Sequence, residues 1–178
     1  DLMTAGIEVA SEYAADGPAV AIKSGRPHYD VAEEVWDASN AVLRRALQVA
    51  SESGVAVQLH TEQTEDLTEV AGWAEDAGLP PKRVVKHYSN GVTEGVTPSV
   101  MSREDYLERA IDAEEPFLME TDFVDDPDRP GAVMGPKTVP RRVDWLLEEG
   151  HDAVVETAHV ETPNAVYGID TKATLQSR

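Results

Sequence analysis

The strongest constraint on this chain is a repeated change of hydrophobic period. Short apolar runs rich in β-branched residues alternate with longer amphipathic segments, and Gly or Pro punctuates the joins. A buried parallel strand reads as a short continuous apolar run, whereas a helix packed on one side repeats about every 3.6 residues. Their alternation predicts successive βα units around a parallel sheet. Strands are predicted at 20–22, 55–59, 83–86 and 116–120, with a further one at 95–101 that Pro98 interrupts. The spacing predicts helices over 33–53, where Val35, Val42, Leu43, Ala46, Leu47 and Ala50 share a face and Gly54 supplies the stop, and over 65–77 before Gly78. Ser102 and Asp105 form a capping-box spacing that opens a helix to 114; further helices follow at 138–149 and from Thr162 to Gly168. Residues 7–14 already carry a helical period. A Pro- and Asp-rich loop covers 125–136, and the last eight residues read as a frayed tail.

A length of 178 residues suffices for one domain but falls short of the roughly 250 of a complete eight-fold βα barrel. With 34 acidic against 15 basic residues the formal charge is −19, yet 41% hydrophobic content argues for a packed protein rather than a solvated tail. Only five of the basic residues are lysine: Lys23, Lys82, Lys86, Lys137 and Lys172. An acidic, lysine-poor composition fits a halophilic cytoplasmic protein, in which concentrated salt screens the self-repulsion. The absence of cysteine excludes disulfides and thiolate metal sites, so a bound metal takes nitrogen and oxygen ligands. No apolar run approaches 18 residues, and no basic, apolar signal segment opens the chain, so no membrane partner is expected.

Three predicted strands end in groups that can bind a metal: His60, His87 and Asp122. In parallel βα architectures the C-terminal strand ends face the active site, where side chains distant in sequence converge. Each residue alone has a plainer reading, a hydrogen-bonded structural histidine or a loop-capping aspartate. Three together at one end of a sheet point to a shared cation, and two imidazoles with a carboxylate suit Zn, Mn, Ni or Fe(II).

These residues also carry a resemblance. Gln58-Leu59-His60-Thr61-Glu62, Val85-Lys86-His87-Tyr88 and Met119-Glu120-Thr121-Asp122 resemble the fifth-, sixth- and eighth-strand signatures of TatD-related metal-dependent hydrolases in the amidohydrolase superfamily. Gly25-Arg26-Pro27-His28-Tyr29, with Asp125-Asp126-Pro127 and Arg129-Pro130-Gly131, resembles the archaeal branch, and the likeness covers nearly the whole chain. It implies a (β/α)8 TIM-like barrel of α/β class. This chain would hold about its last five βα units as a single hydrolase domain over 1–178, without the N-terminal units that carry the family's His-x-His pair.

The implied cofactors are one or two divalent metal ions (Zn, Mn, Ni or Mg). By position His60 and His87 would be ligands, and Asp122 both ligand and the base that activates water. Lys23 stands where the family has a metal-binding Glu. It is either a lysine facing solvent or a carboxylate, or a CO2-carboxylated metal ligand of the kind found in other amidohydrolase branches. Arg26 and His28 on the next loop are expected to reach a substrate anion, with an acidic ion-pair partner as the alternative for Arg26. Glu62 and Glu120 are expected to orient ligand imidazoles from behind.

The implied substrate is a small phosphoester or nucleic acid, including a nuclease-type activity, although a charge of −19 repels nucleic acid unless salt or metal screens it. The alternatives are a carboxylysine-type lactonase or amidase, and a non-catalytic truncated barrel.

Overall fold

The computed structural model describes residues 2–17, 19–125, 128 and 134–176. The two short segments at 125–127 and 129–131 therefore lie outside the described residues, Asp125 excepted. Helix α1 (Leu2–Asp16) leads into β1 (Ala21–Gly25), α2 (Glu33–Ser53), β2 (Ala56–His60) and α3 (Thr68–Asp76). A 3-10 turn, Pro81–Arg83, precedes β3 (Val84–Ser89), β4 (Thr97–Met101), α4 (Glu104–Asp112) and β5 (Leu118–Glu120). Then come α5 (Thr138–Glu148), α6 (Asp152–Glu156), a π-helical turn at Thr157–Glu161, α7 (Thr162–Tyr167) and α8 (Thr171–Gln176).

The five strands form one parallel sheet in the order β1-β2-β3-β4-β5. Each strand lies beside its predecessor and among the described residues no pairing closes the ring, so the sheet is an open sector of a βα barrel. Among the described residues β1 and β5 have one neighbour each.

The pleat sorts residues to two faces, because successive side chains point to opposite sides of the sheet. Ile22, Val57, Leu59 and Val84 face the helix layer and share a core with Leu43, Leu47 and Ala50 of α2 and Val70 and Ala74 of α3. Helix α2 covers the predicted span residue for residue, and Gly54, with φ 68°, ends it in the left-handed conformation. On the inner face Ala56, Val85 and Leu118 pack under Val166 of α7. Continuing the same alternation, Lys23, His60, His87 and Glu120 lie on this inner face nearer the C-terminal strand ends.

Several expectations are corrected. Helix α3 begins at Thr68 rather than 65, because the Asp66 carboxylate accepts hydrogen bonds from the Thr68 N–H (2.9 Å) and hydroxyl (2.7 Å) and holds the preceding residues in a turn. Ser102 does not cap α4; its hydroxyl donates instead to the Glu120 carbonyl at 2.9 Å and ties β4 to β5.

Residues 90–96 join β3 to β4 without a helix, an unusually short crossover for parallel strands. Pro98 is accommodated where the β3–β4 ladder shifts register between Lys86 and Ser89, a break that removes the need for a regular donor. The stretch read as a tail is helix α8 through Gln176. No helix of the described residues is long and apolar enough to cross a membrane.

Candidate metal centre

His60 is the last residue of β2, His87 lies in β3, and Asp122 follows β5, so parallel strands deliver all three to one end of the sheet. The Nδ1 of His60 lies 2.8 Å from Nε2 of His87. On its other side His87 presents Nδ1 to Glu120 Oε1 at 3.2 Å and to Asp122 Oδ1 at 3.8 Å. His60 Nε2 in turn meets His28 Nδ1 at 2.8 Å. The result is a row of three imidazoles ending on two carboxylates.

Local structure fixes this row. At Gly25 an added Cβ would fall 1.9 Å from the His60 carbonyl oxygen, so only glycine lets β1 pass this close to β2. The next residue seals the contact, its Arg26 N–H donating to the same oxygen at 2.9 Å. This brings the loop that carries His28 across His60.

On the far side, Glu120 accepts hydrogen bonds from the Tyr88 N–H (2.6 Å) and from the Ser99 hydroxyl. Tyr88 (φ 61°) and Asp122 (φ 46°) both adopt left-handed backbone. For a bulky tyrosine this costs on the order of 1–3 kcal/mol, and such strain gathers at functional sites.

Burial lowers the His60 pKa, and repulsion from His87, His28 and Lys23 lowers it further, while Asp122 opposes them. The neutral imidazole that this favours is the form that binds a metal. Lys23 shows a related balance: desolvation of its ammonium lowers the pKa even though the residue is exposed overall, and Glu120 and Asp122 pull it back up. Its amine therefore sits within the field of the site carboxylates.

Arg26 takes the acidic ion-pair partner given as its alternative, and that partner is Glu62. Arg26 is 7% exposed and grips Glu62 with both faces of its fork, Nη2 to Oε1 at 2.6 Å and Nε to Oε2 at 2.9 Å. It adds a bond to Asn40 at 3.2 Å and stacks 4.7 Å from the Trp36 ring. Glu62 thus backs Arg26 and not an imidazole, and the guanidinium is already taken. Burial alone would raise the Glu62 carboxyl, but hydrogen bonds from Arg26 and Thr61 outweigh it and hold it below its ordinary value.

Sequence reasoning missed Ser99, Tyr88 and Lys86. Lys86 is 1% exposed, on the face shared with Val84 and Leu59. Burial lowers its pKa against the opposing pull of Glu62 and Glu120. A period-2 reading through His87 assigns Lys86 to the buried outer face, a signal that was available.

Among the described residues, no three His, Cys, Asp or Glu side chains are already arranged around one point. The donor set nevertheless fits a cation. A carboxylate oxygen 3.2 Å from Nδ1 of His87 favours the tautomer with its hydrogen there, which leaves Nε2 bare and aimed at His60. Two imidazole nitrogens sharing a tetrahedral ion sit roughly 3.3 Å apart, so the 2.8 Å hydrogen-bond spacing needs only a small opening. A separate cavity of about 770 Å³, lined by Lys82, Val92, Pro98, Ala113, Thr162 and others, includes none of these residues.

Comparison with known proteins agrees with this architecture. An uncharacterized protein of Methanocaldococcus jannaschii, MJ1127, is 39% identical over 158 residues, which are 82% of this chain and 55% of that protein. An organophosphorus hydrolase from Deinococcus radiodurans superposes with a TM-score of 0.67 at 16% identity, over 93% of this chain and 62% of that one. A structure from the engineering of organophosphate hydrolysis on a weak promiscuous lactonase template gives 0.69 at 15% identity, over 92% and 64%. At such identities the likeness concerns the fold, and this chain spans only about half to two thirds of the proteins it matches. The family described as TatD related DNase matches residues 3–167, and the chain belongs to that family.

Proposed function

We propose that this chain forms part of a single metal-dependent hydrolase domain that acts on phosphoester bonds, small phosphoesters before nucleic acid. The observation that carries the reading is the approach of His60 Nδ1 to His87 Nε2 at 2.8 Å, with Asp122 beside His87 at the same end of the sheet. His60, His87 and Asp122 would hold one or two divalent cations. A cation there would polarise the bond to be cleaved and bring the pKa of a water toward neutrality.

Asp122, the carboxylate with the more open side chain of the two beside His87, would take the proton that the attacking water gives up. Glu120, bound by Tyr88 and Ser99, keeps His87 turned so that Nε2 faces His60. The family match and the predominance of acid over base both bear on substrate. The first favours phosphoesters, and the second disfavours long polyanions outside concentrated salt. The lysine-poor composition supports a halophilic cytoplasmic setting.

A second reading rests on Lys23, whose amine lies in the field of Glu120 and Asp122. If neutral Lys23 adds CO2, forming an N–C bond and releasing one proton, the carbamate supplies the oxygen donor of a lactonase- or amidase-type centre.

The test is metal analysis of the full-length protein together with hydrolysis of p-nitrophenyl phosphodiesters. Stoichiometric Zn, Mn or Ni with chelator-sensitive turnover is expected. Metal-free protein without turnover would instead identify a non-catalytic barrel remnant. Intact mass decides Lys23: a CO2 adduct lost on acidification supports the carbamate, and an unmodified mass in the metal-loaded protein removes it.

A further inference from the structure

Each nitrogen of His60 already has an imidazole partner, and the two contacts make opposite demands. A carboxylate oxygen 3.2 Å from His87 Nδ1 favours the tautomer with its hydrogen on that nitrogen and Nε2 bare, and in that tautomer His60 donates from Nδ1 across the 2.8 Å contact. Its own Nε2 is then the bare atom, and it faces His28 Nδ1 at 2.8 Å, which must donate. In this tautomer hydrogens run in one direction along the row, from His28 through His60 to His87.

A cation shared by His60 and His87 requires the lone pairs of His60 Nδ1 and His87 Nε2 together. The hydrogen of neutral His60 must then be on Nε2, and His28 Nδ1 must accept it. One hydrogen leaves Nδ1 of His60 and one arrives at Nε2, so the ring stays neutral. His28 makes the complementary exchange, and it can do so because it is exposed and its ring can trade hydrogen with water. A metal-ligating imidazole commonly has its other nitrogen fixed by an outer hydrogen-bond partner. Glu120 occupies that position for His87, and an acceptor-only carboxylate suits a ring that never changes tautomer. His60 needs a partner that both gives and takes.

We infer that His28 is the positioning residue of His60, switching from hydrogen-bond donor to acceptor as the pair His60–His87 takes up its cation, and that it is not a substrate-anion contact. The glycine at 25 serves this role, since the close passage of β1 over the His60 carbonyl sets the loop in place. The inference rests on the metal-centre reading above.

The experiment titrates Mn2+ into the chelator-stripped full-length protein by calorimetry, for the wild type, His28→Leu and His28→Asn, with steady-state kinetics on the same samples. His28→Leu should bind Mn2+ about 10- to 100-fold more weakly with little change in KM. His28→Asn, whose amide can present either a donor or an acceptor, should recover most of the affinity. Ring-nitrogen NMR of the Zn2+-loaded wild type should find the His60 hydrogen on Nε2. Wild-type affinity in His28→Leu, or a defect confined to KM, overturns the assignment while leaving the metal centre intact. No Mn2+ uptake by the wild type would overturn the metal centre first, and this role with it.

Discussion

The inner face of the sheet is two regions on one set of strands. At its N-terminal end Ala56, Val85 and Leu118 pack dry under Val166; two residues further along the same strands stand His87 and Glu120, with His60 beside them. A step of two residues is about 6.6 Å and returns to the same face. Core and candidate site are therefore neighbours that share a backbone but not a packing environment. The apolar end stabilises by removing surface from water, whereas the polar end holds strained Tyr88 and Asp122 and several groups whose charges are costly to crowd. Stability and reactivity should be separable by mutation along a single strand.

The sharpest contrast pairs Asp122→Asn with Leu118→Ala. Asp122→Asn should lower hydrolysis about 10²- to 10⁴-fold in the full-length protein with an almost unchanged melting curve. Leu118→Ala should cost about 2–5 kcal/mol in urea unfolding while the folded fraction keeps its turnover. If each variant lost stability and turnover together, the division of the face would be wrong.

A smaller effect is expected at the base of the site. Arg26→Met should destabilise by about 2 kcal/mol, because Glu62 loses its bidentate partner but keeps partial access to water. The pair also sets an acid limb. The Glu62 carboxyl is lower in the folded protein than in the unfolded chain, so in that interval the unfolded chain binds more protons. Its contribution is complete above the ordinary carboxylate pKa and disappears as pH falls through the depressed folded value. Urea midpoints measured across that range should decline with acid in the wild type and change less in Arg26→Met. The least local prediction is a higher melting temperature in molar KCl than in dilute buffer; equal values would end the salt-adapted interpretation.

What was legible follows from how each feature is encoded. Helix α2 and its Gly54 stop are written in consecutive residues, so periodicity found both ends. The convergence of His60, His87 and Asp122 was legible too, since parallel strands bring their C-terminal residues together whatever the loops do. The partner of Arg26 was not, because a chain with 34 acidic residues offers many and only the folded β2–α3 junction selects Glu62. Ser102 illustrates a local rule overruled: α4 has Arg103 and not Ser102 at its cap, and the Glu120 carbonyl across the sheet claims the Ser102 hydroxyl. The missing helix between β3 and β4 reflects a connection too short to form one, and the contact of His28 with His60 depends on backbone proximity at Gly25 that no spacing announces.

The one-sided pairing of β1 and β5 has a practical consequence. Unpaired strand edges invite copies to add to one another, and a net charge of −19 holds copies apart. If concentrated salt tightens each molecule as predicted, it also dims that mutual repulsion, and the chain on its own then has an intermediate ionic strength at which it is both well folded and least prone to associate.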